Sequence, residues 1–325
     1  MNIYKDPDVA RKIKISLESR KAAISKEYLC MLPSCNQPAI NSHVIQRSQF
    51  LEPISDANLK LMSLETVNRF PGKLPRFRRT PIRNILTFKG FCSYHDQMIF
   101  SEIEKQDFDL TNPRHLALFQ YRGICHEKNK KEIIINMTKG LMKHPDEFTP
   151  ELMERAEQQI DLQQLGIKDI EFYKEKIEGE IINGQSNYNF IVEKLERREI
   201  VTSGSFTLEN LIGEDPAKLH DEKWRNEPLK SVSVTMFPKD DELVMILGYL
   251  KEHEDVVQKF IKEKGGISLA FANMILIEYS ETWACSETFY NEYIKDQEEV
   301  VKKACAGAGV LVPTGLIPIP NIMQK

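Results

Sequence analysis

Four side chains of this sequence have the types and spacing of a tetrahedral metal site. Cys30 and Cys35 enclose Met31-Leu-Pro-Ser34, and Cys92 stands three positions before His95. Zinc shells are built from such pairs, each pair held by one tight turn or one helix start. Pro33 predicts a compact knuckle between the first two cysteines. Cys92 and His95 open an amphipathic run through Ile99, Phe100 and Ile103, so they share one face of a helix's first turn. Zinc held by Cys30, Cys35, Cys92 and His95 would be closed and structural, and any reaction would belong to its neighbours. Two neighbours can do chemistry. His43 follows the knuckle on a strand-like stretch, and Asp96 follows the last ligand. A neutral imidazole takes a proton from water, and a carboxylate holds magnesium or manganese against a phosphate. A strand packed on the helix would turn both into one cleft. The plain alternatives are a half-buried histidine bonded to a backbone carbonyl and an acid favoured by a helix N-terminus.

A phosphate-bearing partner is suggested by the insert at 47–90. Arg69, Lys73, Arg76, Arg78, Arg79, Arg83 and Lys89 accumulate there without an acid between them, interleaved with Phe70, Phe77 and Phe88. This is a local positive field on a chain of net charge −4 and fits contact with nucleic acid, DNA in particular. Pro71, Pro75 and Pro81 predict an irregular path. The other reading is an exposed loop.

The positioning elements follow from periodicity. A chain of 325 residues predicts two or three units: 1–106, the zinc-binding unit with its basic insert; 107–197, helical; 198–325, mixed, with an extended apolar tail. Residues 1–28 have helical spacing at Val9, Ile13 and Leu17, and predict a basic helix with one edge on the zinc unit. Asn112-Pro113 and Thr149-Pro150 start helices, and Tyr121, Arg122, His126 and Glu127 ride on the first. The charge-laced stretch 166–197 reads as a solvated helix. Ile200–Leu208, Leu229–Met236 and Leu243–Leu250 read as strands, the second half-buried because Val232, Val234 and Met236 alternate with hydroxyls. Helices return over 251–303. Cys125, Cys285 and Cys305 read as buried small apolar groups, and the acidic loop 213–228 as surface. The tail suits an extended segment on a partner or in the protein's own groove. The fold class is α+β, with a zinc unit, a helical middle, and a small antiparallel sheet with flanking helices. No export signal or run of about 20 apolar residues occurs, so a cytoplasmic, membrane-free protein is expected.

Cys-x4-Cys, then Ser42-His43-Val44-Ile45, then Cys92-x2-His95-Asp96 resembles the HNH endonuclease family, the zinc-bearing ββα-metal, treble-clef group. The resemblance covers residues 28–106. It implies a metal-dependent DNA endonuclease, with His43 as general base and Asp96 where the family has a metal-binding histidine. Ser42 stands where a metal ligand is common, Asn84 or Asn68 would be the intermediate asparagine, and Gln46 or Glu104 would complete the ion's shell. Over its whole length the chain is similar to bacterial proteins that begin with such a zinc unit, which implies an anti-phage defence effector, with a protein partner or a second copy. The alternative is a zinc module that binds nucleic acid or protein without cutting.

Overall fold

One long helix meets the rest of the molecule on every side. Asn112 accepts a hydrogen bond from the Arg114 N–H and Pro113 presets the first turn, so helix formation starts there. In the computed structural model, which describes residues 6–65, 75–105, 108–208, 226–306 and 319–324, this helix runs over Pro113–Leu141. It is the third of the chain, α3, after α1 (Pro7–Ser25) and α2 (Ser93–Phe100). Residues 116–126 of α3 are all buried. Four consecutive side chains face four neighbours. The Gln120 amide donates to the Ile246 carbonyl, Tyr121 to Glu178, and Arg122 to Glu104. Gly123 lies so near the sheet that an added Cβ would stand 2.7 Å from Ser203 Oγ. A helix apolar all round is an interior helix.

The sheet under α3 has seven strands, all paired antiparallel, in the order β3-β2-β9-β6-β7-β8-β5. They are β2 (Lys60–Glu65), β3 (Arg76–Pro81), β5 (Tyr188–Glu196), β6 (Ile200–Thr207), β7 (Ser231–Lys239), β8 (Glu242–Leu250) and β9 (Trp283–Cys285). Along β8, Val244 and Ile246 join the core under α3, and Met245 and Leu247 join the core on the opposite face. Both faces are dry, so the strand sequence is continuously apolar rather than alternating. The helices Glu254–Glu263, Leu269–Met274 and Glu298–Cys305 close that opposite face. A separate ribbon pairs β1 (Asn41–His43) with β4 (Thr87–Lys89). No helix among the described residues is long and apolar enough to cross a membrane.

Five expectations are corrected. The sheet is not small and not confined to the C-terminal side, because β2 and β3 from the basic insert form one edge of it. Pro75 and Pro81 do not keep the described part of that insert irregular: Arg76–Pro81 pairs with Lys60–Glu65 at the sheet edge, where a proline's missing N–H costs no ladder bond, and Pro71 lies outside the described residues. The stretch 166–197 is not all helix. The fourth helix, α4 (Pro150–Asn183), stops at Gly184, which takes φ +65°, and Tyr188–Glu196 is an edge strand. Strand β7 is buried on both faces, since its hydroxyls lie under α3 and find partners there: Ser233 donates to the Gly248 carbonyl, and Thr235 Oγ1 lies 3.0 Å from Ser203 Oγ. Finally, α1 packs chiefly along α3, where Gly140 leaves room for Ser19, and meets the zinc unit at Tyr28, whose hydroxyl donates to the Ala23 carbonyl. The tail residues Ile322 and Met323 are fully buried in the protein's own groove, held by Asn273, whose side chain accepts from the Ile322 N–H and donates to the Pro320 carbonyl. The acidic loop lies mostly outside the described residues.

Phe50, Phe108, Phe119 and Phe237 join the zinc half, α3 and β7 in one aromatic cluster, with ring centroids 4.2 Å apart for Phe50 and Phe237 and 5.3 Å for Phe119 and Phe237. Phe237→Ala is expected to cost about 3–5 kcal/mol, the usual loss for a buried phenylalanine. Urea unfolding would measure it, and a midpoint unchanged from wild type would mean the cluster does not join these parts.

Candidate metal centre and adjoining cleft

The knuckle is made by backbone bonds. The Cys35 N–H donates to the Leu32 carbonyl, Ser34 takes φ +65° to close the turn, and the Met31 N–H donates to the Gly90 carbonyl beside Phe91 and Cys92. Cys92 is the N-cap of α2, and the Asp96 N–H donates back to the Cys92 carbonyl as the helix's first i to i−4 bond. The four expected ligands therefore meet. Cys30 Sγ and Cys92 Sγ each lie 3.4 Å from His95 Nδ1, and Cys35 Sγ lies 4.0 Å from Cys92 Sγ. All four ligand atoms fall within 4.8 Å of one another. A tetrahedral zinc shell sets S···S edges of roughly 3.8 Å and S···N edges of roughly 3.6 Å, so the group could hold a metal such as zinc. A disulfide needs sulfurs at about 2.05 Å, and all six cysteines are free. Burial pushes the Cys30 thiol up to about 11, so a thiolate there needs a counter-cation. Burial also opposes ionisation at Cys92, but the N–H groups of α2's first turn, His95 first, pull its thiol below the ordinary value.

Beside this centre opens a cleft of about 480 Å³, lined by Ser42, His43, Gln46, Arg47, Glu52, Asp96, Glu104 and Arg122 among others. His43 and Asp96, expected in one cleft, both line it. His43 ends β1, and its Nε2–H donates to the Ile82 carbonyl at 2.9 Å. A carbonyl can only accept, so the neutral ring must carry its proton on Nε2 and its lone pair on Nδ1. Burial, with help from the Arg47 and Arg122 charges, lowers the His43 pKa and keeps the ring neutral near pH 7.

The residue that spacing did not assign is Arg122. Its side chain is 2% exposed. The guanidinium lies 4.0 Å from the centroid of the Phe100 ring, 2.5 Å from Glu104 Oε1 and 3.6 Å from Asp96 Oδ1. Burial pushes the Asp96 carboxyl up, against the pull of Arg122. The sequence signal was a lone cation inside the fully apolar-spaced run 116–125 of a helix. Glu104 reaches the cleft from the turn after α2, which ends at Phe100, where the Gln49 amide donates to the Glu104 carbonyl. Gln46 lines the cleft too, but its carbonyl caps the Gln49 N–H and its amide donates to Ser48. Asn84 sits exposed in the short turn Ile82–Asn84 and is not among the cleft residues; Asn68 lies outside the described residues.

The basic insert is spread out. Arg69 and Lys73 lie outside the described residues. Arg76 and Arg78 are exposed on edge strand β3, and Arg83 is exposed just after it. Arg79 is paired with Asp56 and, at 3.3 Å, with Glu287. Lys89 donates to the Lys26 carbonyl and stands over the Tyr28 ring. The interleaved aromatics serve the core: Phe77 packs on Trp283 and Tyr290, and Phe88 on Phe91.

A divalent ion beside Asp96 fits poorly. Asp96 and Glu104 already neutralise Arg122, and the zinc-type cluster is the only group of three or more potential His, Cys or carboxylate ligands among the described residues. Comparison with models of known families, with curated proteins and with solved structures finds no match to this chain.

The metal centre makes a direct prediction. Purified protein is expected to carry one zinc per chain by elemental analysis, and Cys92→Ala to carry none. Because site formation is coupled to folding, losing the metal should cost several kcal/mol of stability. A metal-free chain whose unfolding midpoint ignores chelators would contradict it.

Proposed function

We propose that this protein is a phosphodiester hydrolase acting on nucleic acid, DNA first, with a zinc centre of treble-clef type as scaffold rather than reagent. The observation that carries this reading is His43, tethered through Nε2 with its Nδ1 lone pair free, lining one cleft with Asp96 beside the thiolate–imidazole centre. In the step assigned to it, a water oxygen forms a new bond to phosphorus. His43 Nδ1 takes the water's proton, one P–O ester bond breaks, and the departing oxygen is protonated by solvent. The imidazolium then releases its proton to bulk water. A buried, neutral imidazole suits this role because its basic form persists at neutral pH. Exposed Arg76, Arg78 and Arg83 are the groups best placed for more distant phosphates. Destruction of nucleic acid is also what a cytoplasmic anti-phage effector would require.

A second reading is supported by a specific observation. Asp96 and Glu104 are both turned to Arg122, which is what a cleft that binds but does not cut could also show. Activity separates the two.

Wild type is expected to nick supercoiled plasmid or cut single-stranded DNA, and His43→Ala to lower the rate by about 10²–10⁴-fold, the usual contribution of a general base. Zinc content and unfolding midpoint should be unchanged. Equal cleavage by both proteins would remove His43 from the mechanism, and salt-sensitive binding with no cleavage would favour the second reading.

The pH profile supplies another test. Catalysis needs neutral His43, and burial lowers its pKa, so the rate should stay on its plateau as pH falls through 6.5, the ordinary value for histidine, and decline only below it. A limb centred at or above that value would mean that a different group is the base.

A further inference from the structure

The cleft holds more buried polar atoms than it satisfies. Ser42 Oγ, Asp96 Oδ1 and Arg122 Nε are all buried without a hydrogen bond of good geometry, with Ser42 beside Asp96 and Asp96 Oδ1 3.6 Å from the Arg122 guanidinium. Unsatisfied atoms of this kind are rare in native interiors, and three beside one cleft leave hydrogen-bonding capacity that a polar ligand would reach once a lining side chain moves. Arg47 and Arg122 line the cleft with Glu52, Asp96 and Glu104, so an anion enters only by displacing a carboxylate. Arg47 and Glu52 pair with each other at 2.9 Å. That leaves Arg122 between two carboxylates of different standing: the side chain of Asp96 is 17% exposed and that of Glu104 is 34% exposed. The guanidinium cannot leave, since it is buried in α3 and stacked on Phe100. Glu104 can, because it sits in the turn after α2, its side chain is twice as exposed as that of Asp96, and its carboxylate could be rehydrated.

We infer that Arg122 is the phosphate-binding cation of this cleft, standing where a divalent ion would otherwise stand, with Glu104 as the counter-ion that a phosphodiester displaces. This rests on the phosphodiesterase reading above and goes beyond it by removing the divalent ion. A guanidinium offers a planar fork of donors to two phosphate oxygens, and its charge is permanent. Asp96 keeps the fork oriented while Glu104 exchanges with substrate. Bound phosphate would lie against the face that His43 lines, and its charge would be met without magnesium or manganese.

The test uses the zinc-loaded full chain, exchanged into buffer free of other divalent ions, with zinc content checked on every sample. Plasmid cleavage is measured with and without added magnesium, and the affinity for a short fluorescent DNA duplex by anisotropy. Wild type should cut without added magnesium and gain nothing from it. Arg122→Met should lose about tenfold or more in duplex affinity, the scale of a lost contact to a charged group. Glu104→Gln, at a half-exposed site that does not threaten the fold, should bind the duplex more tightly, and more so than Glu52→Gln in the same cleft. Tighter binding by Glu104→Gln supports the inference even if Arg122→Met fails to fold. Cleavage that needs added magnesium or manganese would overturn it and leave the nuclease reading standing. An equal gain in Glu52→Gln, or none in Glu104→Gln, would also overturn it. No binding and no cleavage by wild type under any ion would overturn both readings together.

Discussion

The cleft depends on one tie: the meeting of Cys30 and Cys35 with Cys92 and His95. These pairs are more than fifty positions apart in the chain, with a whole hairpin of the main sheet between them. The cluster pins the N-terminus of α2 to the knuckle, and the ribbon β1–β4 spans the same gap through bonds such as Ile40 N–H to the Phe91 carbonyl. Asp96 is then fixed one residue from a ligand, and His43 one strand away. Their joint lining of the cleft follows from covalent geometry once the four ligands are gathered. The scaffold is a short helix and a short ribbon whose buried Phe88, Phe91, Ile99 and Phe100 join the core under α3, and a metal held by the four side chains would add folding free energy to that burial.

The second constraint is α3. An interior helix must find partners for the polar groups it buries, and Gln120, Tyr121 and Arg122 each make a hydrogen bond, toward β8, α4 and the cleft, while Gly123 lets β6 approach. Burying a guanidinium is costly unless it is paired. Arg122 is paired twice, by residues from the zinc half of the chain, so α3 and the metal unit are held together by charge as well as by the Phe50, Phe108 and Phe119 rings. The same arrangement places a buried guanidinium, balanced by two carboxylates, in the lining of a polar cleft.

The insert shows how a strong sequence signal divides on folding. Seven cations without an acid among them read as one polyanion site. Among the described ones, Arg79 pairs with Asp56 and Lys89 donates to the Lys26 carbonyl, while Arg76, Arg78 and Arg83 stay exposed near a sheet edge. Charge runs are local in sequence, but their partners need not be: Arg79 pairs with Asp56, earlier in the insert, and with Glu287, some two hundred residues later.

What the sequence determined by itself was the chemistry that short-range spacing controls. The knuckle, the i, i+3 pair on α2, the caps at Asn112 and Thr149, and strands β6, β7 and β8 all follow from local geometry and period, and each is present. The neighbourhood of His43 and Asp96 was also legible, because the clustered Cys30, Cys35, Cys92 and His95 flank both. Tertiary structure alone decided the rest. Strands β2 and β3 enter the large sheet because β9, some two hundred residues later, offers them an edge. β7 hides its hydroxyl face because α3 covers it, which alternation cannot reveal. Arg122 becomes a cleft residue because the cation buried in the run 116–126 finds its carboxylates, Asp96 and Glu104, on a distant segment. Pairing between distant segments has no period, so no window of sequence can show it.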